Sequence, residues 1–321
     1  MFMGLVGSEM CIRDRYMRVS IDSGILTKSF LCTLILAFLV LNGMVSDWGR
    51  LTGGFGNLKN FFYQSLWPPD WSVLEPQVYP VCTARYPFEF TCSTAWIGVI
   101  ETIKIAFVAT VFGMALSFPL SLAAARNLSP GWLSFSSRFI LSAFRSLPSL
   151  IWAIFFVILI GMGPLSGVLA MTVYTVGYLG KLWYEAIEGL SKTPLEAAQA
   201  MGLSQYETAL SVVVPESANE LISHSIFLFE YNFRSGTIIG IVGAGGIGYY
   251  IDLYLRFLQY DKVVAYLLII FLVVLIIDFI SIYARSFFTE DDDLKAPSWF
   301  EVIYGLGRAA SNPSSFYRGR R

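Results

Sequence analysis

From Val263 to Ile277 every side chain is aliphatic or aromatic, and the first charge after that run is Asp278. A helix needs about 20 mostly apolar residues to cross a hydrocarbon core of roughly 30 Å. Comparable runs recur along the chain, so membrane helices are expected near 28–47, 96–123, 138–160, 165–183, 221–243 and 263–285. Composition agrees. The 321 residues are 55% hydrophobic and only 14% charged, where a soluble domain carries roughly 25% charged residues. The expected fold is therefore all-α, a polytopic membrane protein of about six transmembrane helices. The fourth expected helix is rich in glycine and the fifth carries charges, as helices do that line a path and do not face lipid.

Lys and Arg set the orientation. Arg126, Arg138, Arg145, Lys181, Lys192 and Arg285 fall on one side, together with the cations of both termini. Only Arg50, Lys59, Arg85, Arg256 and Lys262 fall on the other. The positive side is cytoplasmic, which places both the N-terminus and the C-terminus inside a bacterial inner membrane. Residues 1–27 then form a cytoplasmic N-terminus, with 4–15 read as non-native translated adapter sequence and Met17 as the native start. A first membrane helix follows over 28–47, and 48–95 form a periplasmic loop. The transmembrane core spans 96–285 and a polar cytoplasmic tail 286–321. In the loop, Pro68, Pro69, Pro76, Pro80 and Pro87 argue against long regular helix. Cys82 and Cys92 share this loop, and an oxidising compartment would let them close a disulfide. With a lone His224 and no CxxC or HExxH spacing, no metal site is expected.

The sharpest local signal lies between the fourth and fifth expected membrane helices, near 193–214. Thr193, Pro194 and Glu196 read as N-cap, first helical residue and capping-box acid. Gly202 is placed to end that short helix in the left-handed conformation. Ser204 and Glu207 form a second box, and the second helix is expected to stop or kink before Pro215. Two short cytoplasmic helices at an angle make a rigid knob whose Ala197, Ala198 and Ala200 leave the backbone approachable. A plain connector would also satisfy this pattern.

The stretch resembles the EAA motif of ABC importer permeases, matched at Glu196, Ala197, Ala198, Gly202 and Pro215. Arg145–Trp152, Gly161–Gly167, Gly180–Glu188 and Phe233–Gly248 are similar to the phosphonate-uptake members of that family, and the resemblance covers roughly 96–285. It implies a type I importer permease with a coupling helix seated on a separate ATPase subunit, where ATP and magnesium would bind. It also implies a periplasmic solute-binding protein, a permease homodimer and alternating access, with no cofactor, catalytic residue or nucleic-acid partner in this chain. The ligand it implies is phosphonate or a related phosphorus oxyanion.

Three polar residues interrupt the fifth apolar segment: Glu230, Asn232 and Arg234. A lone charge there costs several kcal/mol. Glu230 and Arg234 stand in the favourable order for a helical ion pair, so one reading is mutual neutralisation. The other is that Arg234, with Asn232, meets an anionic substrate, whose oxygens suit a guanidinium fork. Gly243, Gly245, Gly246 and Gly248 satisfy GxGxxG, but at the end of a membrane helix they read as a packed or flexible turn at an external gate, not a dinucleotide loop. Gly161, Gly163, Gly167, Gly177 and Gly180 read as sites of close helix packing. An ion-coupled secondary transporter or channel for a small anion is the alternative, supported by intramembrane carboxylates but leaving the EAA element unexplained. A membrane enzyme has no nucleophile–base constellation to support it. Copurification of an ATPase subunit separates the importer from both.

Overall fold

The structure, a computed structural model, describes residues 23–45, 48–77 and 88–286. It divides into two units, one ending at Phe62 and one beginning at Tyr63. Cys82, residues 1–22 and the tail from 287 onward lie outside the described residues. Among those described, the only pairing of strand type is an isolated bridge between Pro76 and Ser93. Five helices are long and apolar enough to cross a membrane, or six if one bent pair counts as a single span.

The first unit holds α1 (Ser23–Met44) and α2 (Gly49–Phe61). Large apolar side chains are exposed along α1, from Phe30 through Met44, as befits a helix that is apolar all round. Helix α2 was not expected. It lies ahead of the prolines, which act further on, where the described part of the loop makes only short 3-10 turns at Trp71–Leu74 and Phe88–Cys92.

The second unit is a helical bundle: α3 (Thr94–Ala124), α4 (Gly131–Ser146), α5 (Ser149–Ile160), α6 (Pro164–Gly189), α7 (Lys192–Ala200), α8 (Gln205–Thr208), α9 (Val214–Ile239), α10 (Ile247–Arg256) and α11 (Tyr260–Ser286). The expected third span, 138–160, is not one straight helix. It is α4 and α5, bent by 83°. Pro148 has no N–H for the ladder, and it forces Leu147 into an extended conformation at φ −103°, ψ 139°. Helix α10 is a further departure, a short amphipathic piece between α9 and α11.

Helix α6 is the centre of the bundle. Its Thr175, Val176, Gly177, Leu179 and Gly180 are all buried. Lipid gives no hydrophobic drive for helices to associate, so close backbone approach matters most. A methyl group placed on Gly177 would lie 2.7 Å from Arg145 N and 2.8 Å from Leu141 O, and one on Gly180 would lie 2.5 Å from Leu141 Cδ2. These two and Gly167 are packing glycines, as expected. Gly161 and Gly163 are not: a methyl group on either would meet nothing within 4 Å, and their φ of 96° and 141° marks a turn between α5 and α6.

Polar locks close both ends. Ser134 Oγ and Arg138 Nε both donate to Ala124 O at the C-terminus of α3, at 2.6 and 2.9 Å. Arg138 also pairs with Glu188 of α6 and lies 4.4 Å over the Tyr184 ring. At the other end Asp70 N donates to Asp261 O, and Thr94 Oγ1 shares a hydrogen bond with Tyr266 Oη. The Asp70 carboxyl is held below its usual range, first by the Ser72 backbone N–H.

Gly177→Val should push α4 off α6. The expected loss is on the order of 1–3 kcal/mol, seen as a lower unfolding temperature in detergent. Gly131→Ala, with nothing within 4 Å, should stay near wild type; equal losses in the two variants would refute the seam.

Candidate translocation and coupling sites

Between α6 and α9 the chain forms an elbow. Glu207 N donates to Ser204 Oγ at 3.3 Å while Ser204 N donates to the Glu207 carboxylate at 2.8 Å, the reciprocal box expected there. Gly202 ends α7 at φ +77°. The first expected box does not form. Helix α7 begins after Ser191, so Thr193 lies inside it and caps nothing. Pro194 is tolerated there because the first-turn N–H groups have no helical acceptor. Glu196 and Ala197 are exposed and Ala198 is fully buried, so the motif is split between an outer face and an inner foot. Met201 and Tyr206 extend the outer face, at 69% and 73% exposure.

The second helix does not stop before Pro215. A π segment, Ala209–Val213, joins α8 to α9. Pro215 cannot donate to the carbonyl one turn back, and the wider turn just ahead absorbs that defect, so the helical path continues.

Glu230 and Arg234 come together as the sequence suggested, at 2.7 Å. They are half of a quartet. Arg234 also meets Asp278 at 2.7 Å, and Arg285 meets Glu230 at 3.3 Å. Two cations and two carboxylates join α9 to α11 with no net charge. Asn232 is not part of this group. Two residues from each partner, it points to the other side of α9, where Nδ2 donates to Thr110 and Thr175 hydroxyls, both at 2.9 Å. At 1% exposure it clamps α9 to α3 and α6.

The glycines 243–248 are buried throughout. Gly163 N donates to Gly243 O at 2.9 Å and Ile247 N to Thr102 Oγ1 at 2.9 Å. Gly246 has φ +76°, and a methyl group on it would lie 2.6 Å from the same Thr102 hydroxyl. No side chain but hydrogen fits such a turn. It is a packed joint between α9 and α10, set against α3 and the α5–α6 turn. In the loop, Cys92 is disulfide-bonded.

Several residues were missed by sequence reasoning. Asp278 stands alone in the long apolar stretch of α11, and an isolated intramembrane acid is a signal that a cation lies opposite. Thr110 and Thr175 carry no such signal, since threonines on membrane helices bond their own backbone as readily.

Residues 117–284, a little over half the chain, match the family of binding-protein-dependent transport system inner membrane components. The chain belongs to this family of permeases. It is 37% identical over 215 residues to the phosphite transport system permease protein PtxC of Stutzerimonas stutzeri, covering 66% of this chain and 78% of that one. It is 38% identical over 187 residues to the phosphate-import permease protein PhnE of Mycolicibacterium smegmatis, covering 58% of this chain but only 35% of that one. A chain of the MetNI methionine ABC transporter, solved in inward-facing conformations, shares the fold with a TM-score of 0.54 at 23% identity over 61% of this chain and 97% of that one. The permease is thus a transport subunit and not an enzyme, and membership decides against the ion-coupled carrier.

The quartet gives a stability prediction for the permease. Glu230→Gln leaves two arginines facing each other without their buried acid. Breaking a buried pair costs about 3–5 kcal/mol, and with both arginines partly exposed about 2 kcal/mol is expected. Neutralising all four residues should cost less than Glu230→Gln alone. Thermal unfolding in detergent measures both, and the opposite order would refute the lock.

Proposed function

We infer that this permease carries a phosphorus oxyanion, such as phosphite, phosphate or a phosphonate, into the cytoplasm. The observation that carries the reading is the 37% identity to a phosphite permease across 78% of that protein's length. A solute-binding protein delivers the anion outside, and two permease copies form the path. A separate ATPase subunit, holding ATP and magnesium, drives alternating access. The cation distribution supports placing both termini and the α7–α8 elbow in the cytoplasm. Cys92 and Cys82 would then close a loop on the periplasmic side.

In this reading the outer face of the elbow, with Glu196 and Ala197, docks on the ATPase. Ala198 and Gly202 shape the elbow, and Pro215 marks where it becomes a membrane helix. The joint of Gly243, Gly245, Gly246 and Gly248 serves as the external gate. For Glu230 and Arg234 the geometry supports packing over passage, since Arg234 is shared by two carboxylates. Asn232 likewise has its amide engaged by two threonines.

The substrate class is tested by uptake of labelled phosphite, phosphate and methylphosphonate into proteoliposomes holding the permease, its ATPase and its binding protein. Saturable, ATP-dependent uptake of at least one is expected; uptake of none would overturn the reading. Coupling is tested at Gly202. Nothing lies against it, so only its backbone conformation is at stake. Gly202→Val should weaken ATPase copurification and uptake, while Gly202→Asn, which tolerates positive φ, should retain most of both. Wild-type behaviour of the valine variant would remove the coupling role.

A further inference from the structure

The charges expected to meet an anion are engaged elsewhere, yet a different set of donors lies partly exposed along α6 and α9. On α6, Tyr174 and Tyr178 stack with ring centres 5.9 Å apart, and both stack on Tyr231 of α9, at 5.7 and 6.1 Å. The three rings are nearly parallel, within 26°. Tyr174 and Tyr231 hydroxyls touch at 3.1 Å. All three residues are half-buried, and each stands beside a buried residue that turns inward: Thr175 after Tyr174, Gly177 before Tyr178, Asn232 after Tyr231. The tyrosines therefore lie on the partly exposed sides of α6 and α9.

Arg145 reaches the same level. It ends α4 at the bend into α5, and its backbone N is what a methyl group on Gly177 would strike. Leu141 packs on Gly180, so Arg145, one turn further along α4, lies one turn further along α6, level with Tyr174 and Tyr178. Its guanidinium makes no ion pair among the described residues; it reaches Ser142 only at a long 3.5 Å, and its buried Nε has no partner. A partly buried guanidinium that meets no carboxylate is costly. An anion would relieve that cost.

We propose that Arg145 and the hydroxyls of Tyr174, Tyr178 and Tyr231 form the contact site that holds the phosphorus oxyanion in transit. This rests on the substrate class inferred above. A tetrahedral oxyanion presents acceptors in several directions. One unpaired guanidinium supplies attraction, and a ladder of phenols supplies neutral donors that bind without trapping. A passage site must do both, since an ion has to enter and also to leave. Carboxylates would repel the anion. On α6 the next carboxylate, Glu185, lies seven residues beyond Tyr178 and is held by Lys181 at 3.4 Å, and on α9 Glu230, next to Tyr231, is held by Arg234 and Arg285.

The test uses the whole transporter in proteoliposomes with labelled phosphite, phosphate and methylphosphonate as probes. The triple variant Tyr174→Phe, Tyr178→Phe, Tyr231→Phe keeps the rings and removes the donors, and Arg145→Gln removes the charge. Each should lower uptake at subsaturating probe by about tenfold or more, the worth of one good hydrogen bond to an anion. ATPase copurification and protein level should stay within about twofold of wild type on the same scale. Should either variant assemble poorly, Tyr178→Cys gives an independent reading. Its thiol should react with an anionic methanethiosulfonate during turnover and be protected by the transported probe. Uptake unchanged in both variants, or a thiol that stays unreactive, overturns the site while leaving the substrate class intact. Wild-type protein that takes up none of the three probes overturns the substrate class and the site together.

Discussion

The bundle depends on how closely α6 can lie against α3 and α4. In hydrocarbon a leucine gains nothing by leaving lipid for another leucine, so association rests on van der Waals fit and on polar groups with no other partner. Both are concentrated on α6. Gly177 and Gly180 let α4 approach until Leu141 and Arg145 lie on the α6 backbone, and Gly113 of α3 accepts Thr175 at a distance that any Cβ would forbid. That approach also brings the Thr175 hydroxyl within reach of Asn232. The polar clamp among α3, α6 and α9 is thus a consequence of the glycine seam. Without the seam Asn232 would lose Thr175 and keep only Thr110 of α3 as a partner.

Charge is handled by the same economy. Each carboxylate at membrane depth on α9 and α11 has an arginine within hydrogen-bonding distance, so the two helices can be parted only by exposing unpaired charge. This makes the α9–α11 contact stiff and leaves Glu230, the carboxylate next to Tyr231, neutralised by two arginines. An anion path needs that combination. A fixed acid on its wall would raise the barrier, and a fixed lysine or arginine at every turn would hold the anion in place.

Much of this was legible in the sequence, and the misses have physical causes. Apolar runs locate the membrane helices because hydrophobicity is a local property. The Ser204–Glu207 box and the Gly202 stop were readable because caps are local too. The box at Thr193 and Glu196 failed because Ser191, two residues earlier, was an equally good place to begin, and sequence does not rank rival starts. The bend at Pro148 was missed although the proline was in view, since in a long apolar run a proline may kink, break or be absorbed. Pro215 shows the opposite outcome, a proline absorbed by a π turn. The partners of Glu230 and Arg234 lie some fifty residues away on α11, and the tyrosine ladder joins two helices. Such contacts exist only once α6 and α9 are packed.

That packing also explains how an event at the elbow can reach the path. From Gln205 through the π segment to Ile239 the backbone is helical without a break. Such an element moves as one body, so a push on the exposed face of α7 and α8 displaces α9 along its length and is not lost in a loop. Tyr231 rides on this helix, whereas Tyr174 and Tyr178 ride on α6. A displacement of α9 relative to α6 therefore acts first on the contacts that cross between them: the bond from Trp183 Nε1 to Leu221 O, the Asn232 clamp and the tyrosine ladder. The clamp is buried and resists. The ladder is half-exposed and joined by a single hydroxyl contact, so it is the place where the two helices can slide at least cost. In the proposed mechanism coupling and passage would meet there: the helix continuous with the elbow carries one of the hydroxyls proposed to hold the anion.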